Sequence, residues 1–281
     1  MRSSRDGRRR GRPVLGRPGP HAGATHRPGP ARGLAIDLGS SGARAWIPGQ
    51  GLVAGPPAGW EGGARRPVRR GRIVDAESCA GLLSYLAETA LGADRRDSVV
   101  ALSHPVLAGR EHHAQARELL AALDVSGAVI LSSARAAAAC AGRLDDGPVL
   151  VADLGAELTE VALLVGGTVV DARQADTGLS DLEPPSTPVG LARTVVDMIT
   201  SMWREDQHGA VRGALRRGLV LTGGGALRAE VTDRIAGRLG APVHIVRDPA
   251  TAVVRGAALV LGSALGSAAA DTAPVRPARP R

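Results

Sequence analysis

Asp37 and Asp153 stand at matching points of a repeated pattern in this 281-residue chain. Around Asp37 the chain reads "AIDLGSSGARAWIPGQG", and around Asp153 it reads "VADLGAELTEVALLVGG". Laid over one another without gaps, Asp37 falls on Asp153, Leu38 on Leu154, Gly39 on Gly155 and Gly51 on Gly167. A carboxylate at a strand end, followed by a turn of small residues, can hold Mg²⁺ through water while backbone N–H groups grip a phosphate. Gly39, Ser40, Ser41 and Gly42 suit that task, because small residues let the main chain approach closely and two hydroxyls add donors. A third turn, "TGGGA", places Gly223, Gly224, Gly225 and Ala226 where a helix N-terminus could lie flat against a nucleoside or an α-phosphate. Any one of these turns occurs in ordinary hairpins and loops. Three in this order, the first two related by repetition, point to a nucleotide held between two halves. Glu157 is the discordant residue. At about 4 Å and an effective dielectric near 20, its charge and a phosphate's would repel by roughly 4 kcal/mol.

The elements that must position these turns follow from periodicity. Each copy of the repeat reads as strand, turn, strand, Gly-rich turn, strand. "AESCAGLLSYLAETALGA" carries Leu82, Leu86 and Ala90 on one helical face. "SVVALSHP" is a buried strand. "EHHAQARELLAALDVSG" is an amphipathic helix expected to end at Gly127, and "AVILSS" is another strand. In the second half, Leu191, Val195, Ile199 and Met202 mark a helix. "RGLVLTGGG" is a strand entering a turn. Leu227, Val231, Ile235 and Leu239 mark a further helix, with Gly240 as its C-cap. After the strand "PVHIV", Asp248 is expected to N-cap a last helix with Pro249 at its first position. This order implies an α/β fold of two halves, 33–148 and 149–265, with helices on both sides of mixed sheets.

Composition narrows the partners. The chain is 44% hydrophobic, enough for a substantial core, but has no Phe, one Tyr and three Trp, so that core must be built from Ala, Val and Leu. All 35 basic residues are arginine, a bias that reflects coding composition as much as chemistry. The net charge of +8 is concentrated in Arg/Pro/Gly-rich ends, 1–32 and 266–281, which read as disordered tails. A basic tail can contact anionic lipid or nucleic acid; the lack of interleaved aromatics argues against single-strand recognition. Cys79 and Cys140 lack metal-ligand spacing and suit a reducing cytoplasm as core thiols. No apolar leader follows the basic N-terminus, and no uninterrupted apolar run reaches membrane-spanning length. His112 and His113 are adjacent and are expected to face solvent rather than a metal.

Taken together, these segments resemble the actin, heat-shock-chaperone and sugar-kinase superfamily, and within it MreB, the bacterial actin that organises cell-wall synthesis. "IDLGSSGARAWIPGQGLV" resembles the first phosphate motif, "VADLGAELTEVALL" the second and "GLVLTGGGALRAEV" the adenosine motif. "RPVRRGRIVDAESCAGLLSYL" and "RDPATAVVRGAALVLG" favour MreB over a sugar kinase. The resemblance runs from about residue 33 to 263. It implies an actin-like (ribonuclease H-like) duplicated fold, ATP and Mg²⁺ binding, and polymerisation on the inner face of the membrane. By it, Asp37 and Asp153 hold the metal. Gly39, Ser40, Ser41, Gly42, Gly155, Thr159, Gly223, Gly224, Gly225 and Ala226 line the nucleotide.

Three departures qualify the resemblance. Where the family's second phosphate motif has three glycines, this chain has Gly155, Ala156 and Glu157, followed by Leu158; Thr159 and Glu160 remain. Where the family has the acid that orients water for hydrolysis, Ser132 and Ser133 stand in "VILSSARAAAACAG", and Ser132 is assigned to the acid's position. Serine binds water but does not accept its proton efficiently near neutral pH, so no catalytic acid is assigned. Finally, "AGPPAGWEGGA" and "EPPSTP" replace the family's outer subdomains, which leaves two core subdomains. Three functions fit. The leading one is a trimmed MreB-like cytoskeletal protein with weak or vestigial ATP binding, accessory to cell shape and wall synthesis. It would dock on full-length relatives or the wall machinery, cytoplasmic with a peripheral membrane contact. The others are a small active ATPase or phosphotransferase, and a nucleotide-independent scaffold.

Overall fold

A computed structural model describes residues 32–55, 66–145, 147–182 and 188–271. The first repeat forms an antiparallel meander of β1 (Arg32–Gly39), β2 (Gly42–Ile47) and β3 (Gly51–Ala54). Leu34, Ala35 and Ile36 are all fully buried, so β1 is a central strand covered on both faces. A small hairpin follows, β4 (Val68–Arg69) and β5 (Arg72–Ile73). Its two turn residues, Arg70 (φ 48°) and Gly71 (φ 72°), are both left-handed, the requirement of a tight two-residue hairpin. Then come α1 (Ala76–Leu91), β6 (Ser98–His104), α2 (Arg110–Ala121), β7 (Gly127–Ser132) and α3 (Ser133–Cys140). Asp75 starts α1 by accepting from the Ser78 N–H and hydroxyl.

The second repeat rebuilds the plan with β8 (Val149–Leu154), β9 (Thr159–Val165) and β10 (Thr168–Ala175). It continues through α4 (Pro188–Glu205), α5 (Ala210–Arg217), β11 (Leu219–Thr222), α6 (Ala229–Leu239), β12 (Val243–Ile245) and α7 (Ala252–Asp271). The sheets have equivalent orders, β3-β2-β1-β6-β7 and β10-β9-β8-β11-β12. In each, the central strand pairs antiparallel with the meander and parallel with the strand that follows the first crossover.

The cores do not respect the sequence halves. Leu82, Leu83 and Leu86 of α1, with Leu119 and Leu120 of α2, cover one face of the first sheet. The opposite face is covered by α7, through Val254, Ala257 and Leu261 against Ala35 and Ala101. In the second sheet, α4, α5 and α6 cover one face. Its other face takes α3, through Ala134, Ala137 and Ala138 against Val151, Ala162 and Leu164. Each half thus lends a helix to the other's sheet, and α3 crosses α7 where they meet. The crossing is so close that a Cβ on Gly256 would lie 1.7 Å from the Ala136 carbonyl oxygen.

Several local expectations need correction. α2 ends at Ala121 and Gly127 opens β7, because Asp124 turns the chain at φ 52°. α6 begins at Ala229, so Leu227 lies in the short turn before it and is 66% exposed. Asp248 adopts φ 46° and makes no side-chain cap; Pro249–Thr251 forms a 3-10 turn ahead of α7. α5 was not expected from the pattern, since only Val211 and Ala214 are buried; Asp206 caps it by accepting from Ala210 and Val211 N–H. β1 includes Arg32, one residue before the expected boundary, and α7 runs to Asp271, past the expected boundary at 265. The expected tails otherwise fall outside the described residues, as do most of "AGPPAGWEGGA" and "EPPSTP". Those connections, 56–65 and 183–187, are too short to form a separate lobe with its own core.

Gly256→Ala is expected to destabilise the protein by at least about 3 kcal/mol, through overpacking against backbone, and to lower Tm by roughly 6–12 °C. Gly237→Ala, on the open face of α6 with nothing within 4 Å of the added methyl, is the control. There, thermal unfolding should show no loss and a gain of up to about 1 kcal/mol from helix propensity.

Candidate functional site

The carboxyl ends of β1, β6, β8 and β11 converge on one cleft between the sheets, with a volume of about 330 Å³. Ligands of open α/β sheets gather at such strand ends. The first half contributes Asp37, Gly39, Ser40, Ser41, Arg44 and Ser103. The second contributes Asp153, Gly155, Glu157, Glu160, Gly223 and Gly224. The 3-10 turn ahead of α7 and the start of α7 close one side, with Ala250 and Val253 respectively.

Three carboxyl groups dominate its electrostatics. Asp37 accepts a hydrogen bond from the Ser103 hydroxyl. Burial pushes its pKa up, opposed by that hydrogen bond and by the Arg44 charge. Asp153 is pushed up to about 6, first by burial and then by the negative charge of Asp37. Glu160 reaches about 8, again by burial first and then the charge of Asp153. It accepts from the Val106 N–H at 2.6 Å and the Ser133 hydroxyl at 2.9 Å. Among the described residues, no group of three or more His, Cys, Asp or Glu side chains is arranged to hold a metal ion. A cation here would therefore need ligands beyond the protein. Asp37 and Asp153 suit a hydrated Mg²⁺ held together with phosphate oxygens, since a cation would relieve the mutual repulsion that raises Asp153.

The turns differ in what they offer. At the second, the Gly155 N–H donates to the Leu158 carbonyl at 2.9 Å, so that amide is satisfied inside the turn. Gly155 is needed for approach instead: a Cβ there would stand 2.8 Å from the Leu158 carbonyl oxygen. Gly223 donates to the Pro249 carbonyl, and at φ 81° it passes so close to β8 that a Cβ would lie 2.4 Å from Asp153 Oδ1. Gly225 and Ala226 are buried and do not line the cleft; Gly225 packs against Leu154. Gly42 pairs with Gly39 across the meander and sits outside the cleft. Thr159 is fully buried and donates its hydroxyl to the Thr177 carbonyl. Ser132, expected at the acid's position, caps α3 by accepting from the Arg135 N–H, whereas Ser133 lines the cleft.

Glu157 corrects the charge argument. Its side chain is buried, not turned to solvent, and it is not a bare charge. Arg66 Nη1 reaches Oε1 at 3.2 Å, Arg69 Nε reaches Oε2 at 3.0 Å, and the Arg70 N–H donates to Oε2 at 3.1 Å. These partners come from the hairpin segment of the other half. They are visible in the sequence as "RPVRRG", but nothing in their spacing announces a partner about ninety residues away. Histidines form another unforeseen cluster. His113 packs edge-on against His104 at 4.5 Å between ring centroids, and His112 lies 6.4 Å from both. His104 borders the cleft, so these rings are half-buried rather than solvent-facing.

No protein-family model matches the chain, and no curated protein matches it. Solved structures do. MreB5 of Spiroplasma citri bound to ADP superposes with a TM-score of 0.73 at 15% identity, over 85% of this chain and 98% of that one. The same protein bound to AMPPNP gives 0.74 at 15% identity, over 87% and 100%. The ethanolamine utilization protein EutJ from Carboxydothermus hydrogenoformans gives 0.60 at 16% identity, over 82% and 90%. The chain therefore has an actin-like fold, smaller than full length, whose described residues form two equivalent five-stranded sheets and one small hairpin.

The raised carboxyl pKa values make stability pH-dependent. The folded state holds protons on Asp153 and Glu160 that the unfolded chain has released, so their contribution is complete below the ordinary carboxylate range. It is lost as pH rises through about 6 for Asp153 and about 8 for Glu160. Without added nucleotide or Mg²⁺, Tm is expected to fall between pH 5 and pH 8, and Glu160→Gln should flatten the upper part of that fall. Parallel melting curves at matched ionic strength check it.

Proposed function

We propose that this chain is an MreB-like cytoskeletal protein whose cleft binds ATP with Mg²⁺ weakly, accessory to cell-shape determination and wall synthesis. The observation that supports it is the convergence of two repeat-related turns, carrying Asp37 and Asp153, on one cleft with raised carboxyl pKa values. The similar MreB5 structures bound to ADP and AMPPNP favour the same ligand class. When bound, Mg²⁺ would supply positive charge to phosphate oxygens. Asp37 and Asp153 would hold it through water. Ser40 and Ser41 would donate hydroxyls to phosphate, and Gly223 and Gly224 would give the nucleoside a flat approach.

Weakness has two sources in the chain's own residues. Gly155's amide is taken within its turn, and Glu157 places a carboxylate on the cleft wall. Slow turnover follows from Ser133, which lines the cleft and donates to Glu160. A serine hydroxyl can orient a water but cannot take its proton near neutral pH. Glu160 itself, pushed up to about 8, is largely protonated there and is a poor base at pH 7. Without outer lobes, the chain is suited to docking on full-length MreB-like proteins or on wall-synthesis machinery rather than to building filaments alone. Its Arg-rich N-terminal segment favours a cytoplasmic protein with peripheral membrane contact.

Calorimetric titration with Mg-ATP should give a Kd weaker than about 10 μM. Asp153→Ala should weaken it by about tenfold or more, and phosphate release should be barely above background. Submicromolar binding with rapid release refutes the weak-site reading, and no binding at millimolar ATP refutes the nucleotide reading. In sedimentation the protein should pellet with a full-length relative and Mg-ATP, but stay in the supernatant by itself.

A further inference from the structure

The hairpin β4–β5 reaches across the cleft mouth and is tied to the opposite half at three levels. Arg66 and Arg69 both pair with Glu157, whose side chain is only 5% exposed. The Arg70 backbone N–H donates to the same carboxylate, and the Arg70 guanidinium pairs with Asp181 at 3.1 Å and donates to the Asp176 carbonyl. The tip itself is wedged: a Cβ on Gly71 would lie 2.7 Å from Leu158 and 2.8 Å from Pro105. Carboxylate and phosphate are recognised by the same guanidinium and amide donors. Glu157 offers two oxygens to three such donors, at the turn where a phosphate would otherwise be gripped.

The geometry points to an intramolecular clasp. Glu157 serves as a built-in anion that closes the hairpin over the cleft without any ligand, and a polyphosphate must displace it to reach the second turn. The closing action stands on the contacts alone; the competition rests on the nucleotide reading above. Because Glu157 is buried and charged, its partners are screened less by salt than surface pairs are. The two arginines are half-exposed, so they can leave it without crossing an apolar barrier.

The test compares the full chain with Glu157→Gln, which preserves size and one acceptor, and with Arg66→Gln/Arg69→Gln, which removes the same pairing from the exposed side. Hydrogen exchange at residues 66–73 is followed without ligand, and Mg-ATP affinity is measured on the same preparations. Loss of a charge-assisted hydrogen bond predicts exchange at the Arg70 amide at least about tenfold faster in Glu157→Gln. The arginine double variant should loosen the same segment while thermal unfolding stays cooperative. Mg-ATP should bind Glu157→Gln at least about tenfold more tightly than the parent. Unchanged exchange in both variants overturns the clasp, whatever the nucleotide does. Faster exchange with equal, measurable ATP affinity overturns the competition. Faster exchange with no ATP binding to any variant supports the closing action and removes the nucleotide reading instead.

Discussion

The crossing of α3 over α7 is the contact on which the cleft depends. Each helix belongs by sequence to one half and by packing to the other half's sheet, so the two sheets cannot separate without exposing a core face. Their approach is limited by backbone: the Ala136 carbonyl occupies the space a side chain at 256 would need. Ala134, Ala136, Ala137 and Ala138 on α3 make the approach feasible, because the buried alanines of α3 present only methyl groups to the neighbouring layers. A core without phenylalanine is consistent with that geometry. Small side chains bring layers close, and the lost area per residue is offset by the number of residues buried.

That closeness sets the electrostatics. With the strand ends of both sheets facing one crevice, Asp37, Asp153 and Glu160 are taken out of water within reach of one another's charge. Burial raises each; the charge of Asp37 raises Asp153 further, and the charges of Asp153 and Asp37 raise Glu160 further. An ordinary core would replace such a cluster with apolar side chains. The cluster lies at the point where two repeat-related turns meet, and the proposed nucleotide site rests on that coincidence. Glu157 has the opposite environment. Two guanidinium groups and an amide hold it, whereas among the described residues none of the other three carboxyls is in a salt bridge, although the Arg44 charge acts on Asp37.

The hairpin β4–β5 and the segment 176–181 face one another from opposite halves. They meet through arginine–carboxylate pairs rather than through a packed interface. Contacts of that kind are directional, and the partly exposed Arg70–Asp181 and Arg72–Asp176 pairs are weakened by salt.

The hairpin β4–β5 and α5 had no signal in the sequence, but the order of the other strands and helices, the duplication and the identity of Asp37 and Asp153 were legible in it. Each depends on residues close together along the chain: alternation of apolar residues, small residues at turns, and two copies of one motif. The same local rules misplaced the end of α2 and the start of α6, because Leu123 and Leu227 continue an apolar period that the backbone does not follow, the chain turning at Asp124 after α2. The resemblance placed Ser132 at the acid's position; in the structure Ser132 caps α3 and Ser133 lines the cleft, a difference set by which way a helix start faces. What only the tertiary structure decided is contact between distant segments: α3 and α7 exchanged between sheets, and Glu157 joined to Arg66, Arg69 and Arg70. Neither has a local signature. Alanines and arginines carry no address for their partner, and close packing or ion pairing selects one only after both halves have folded.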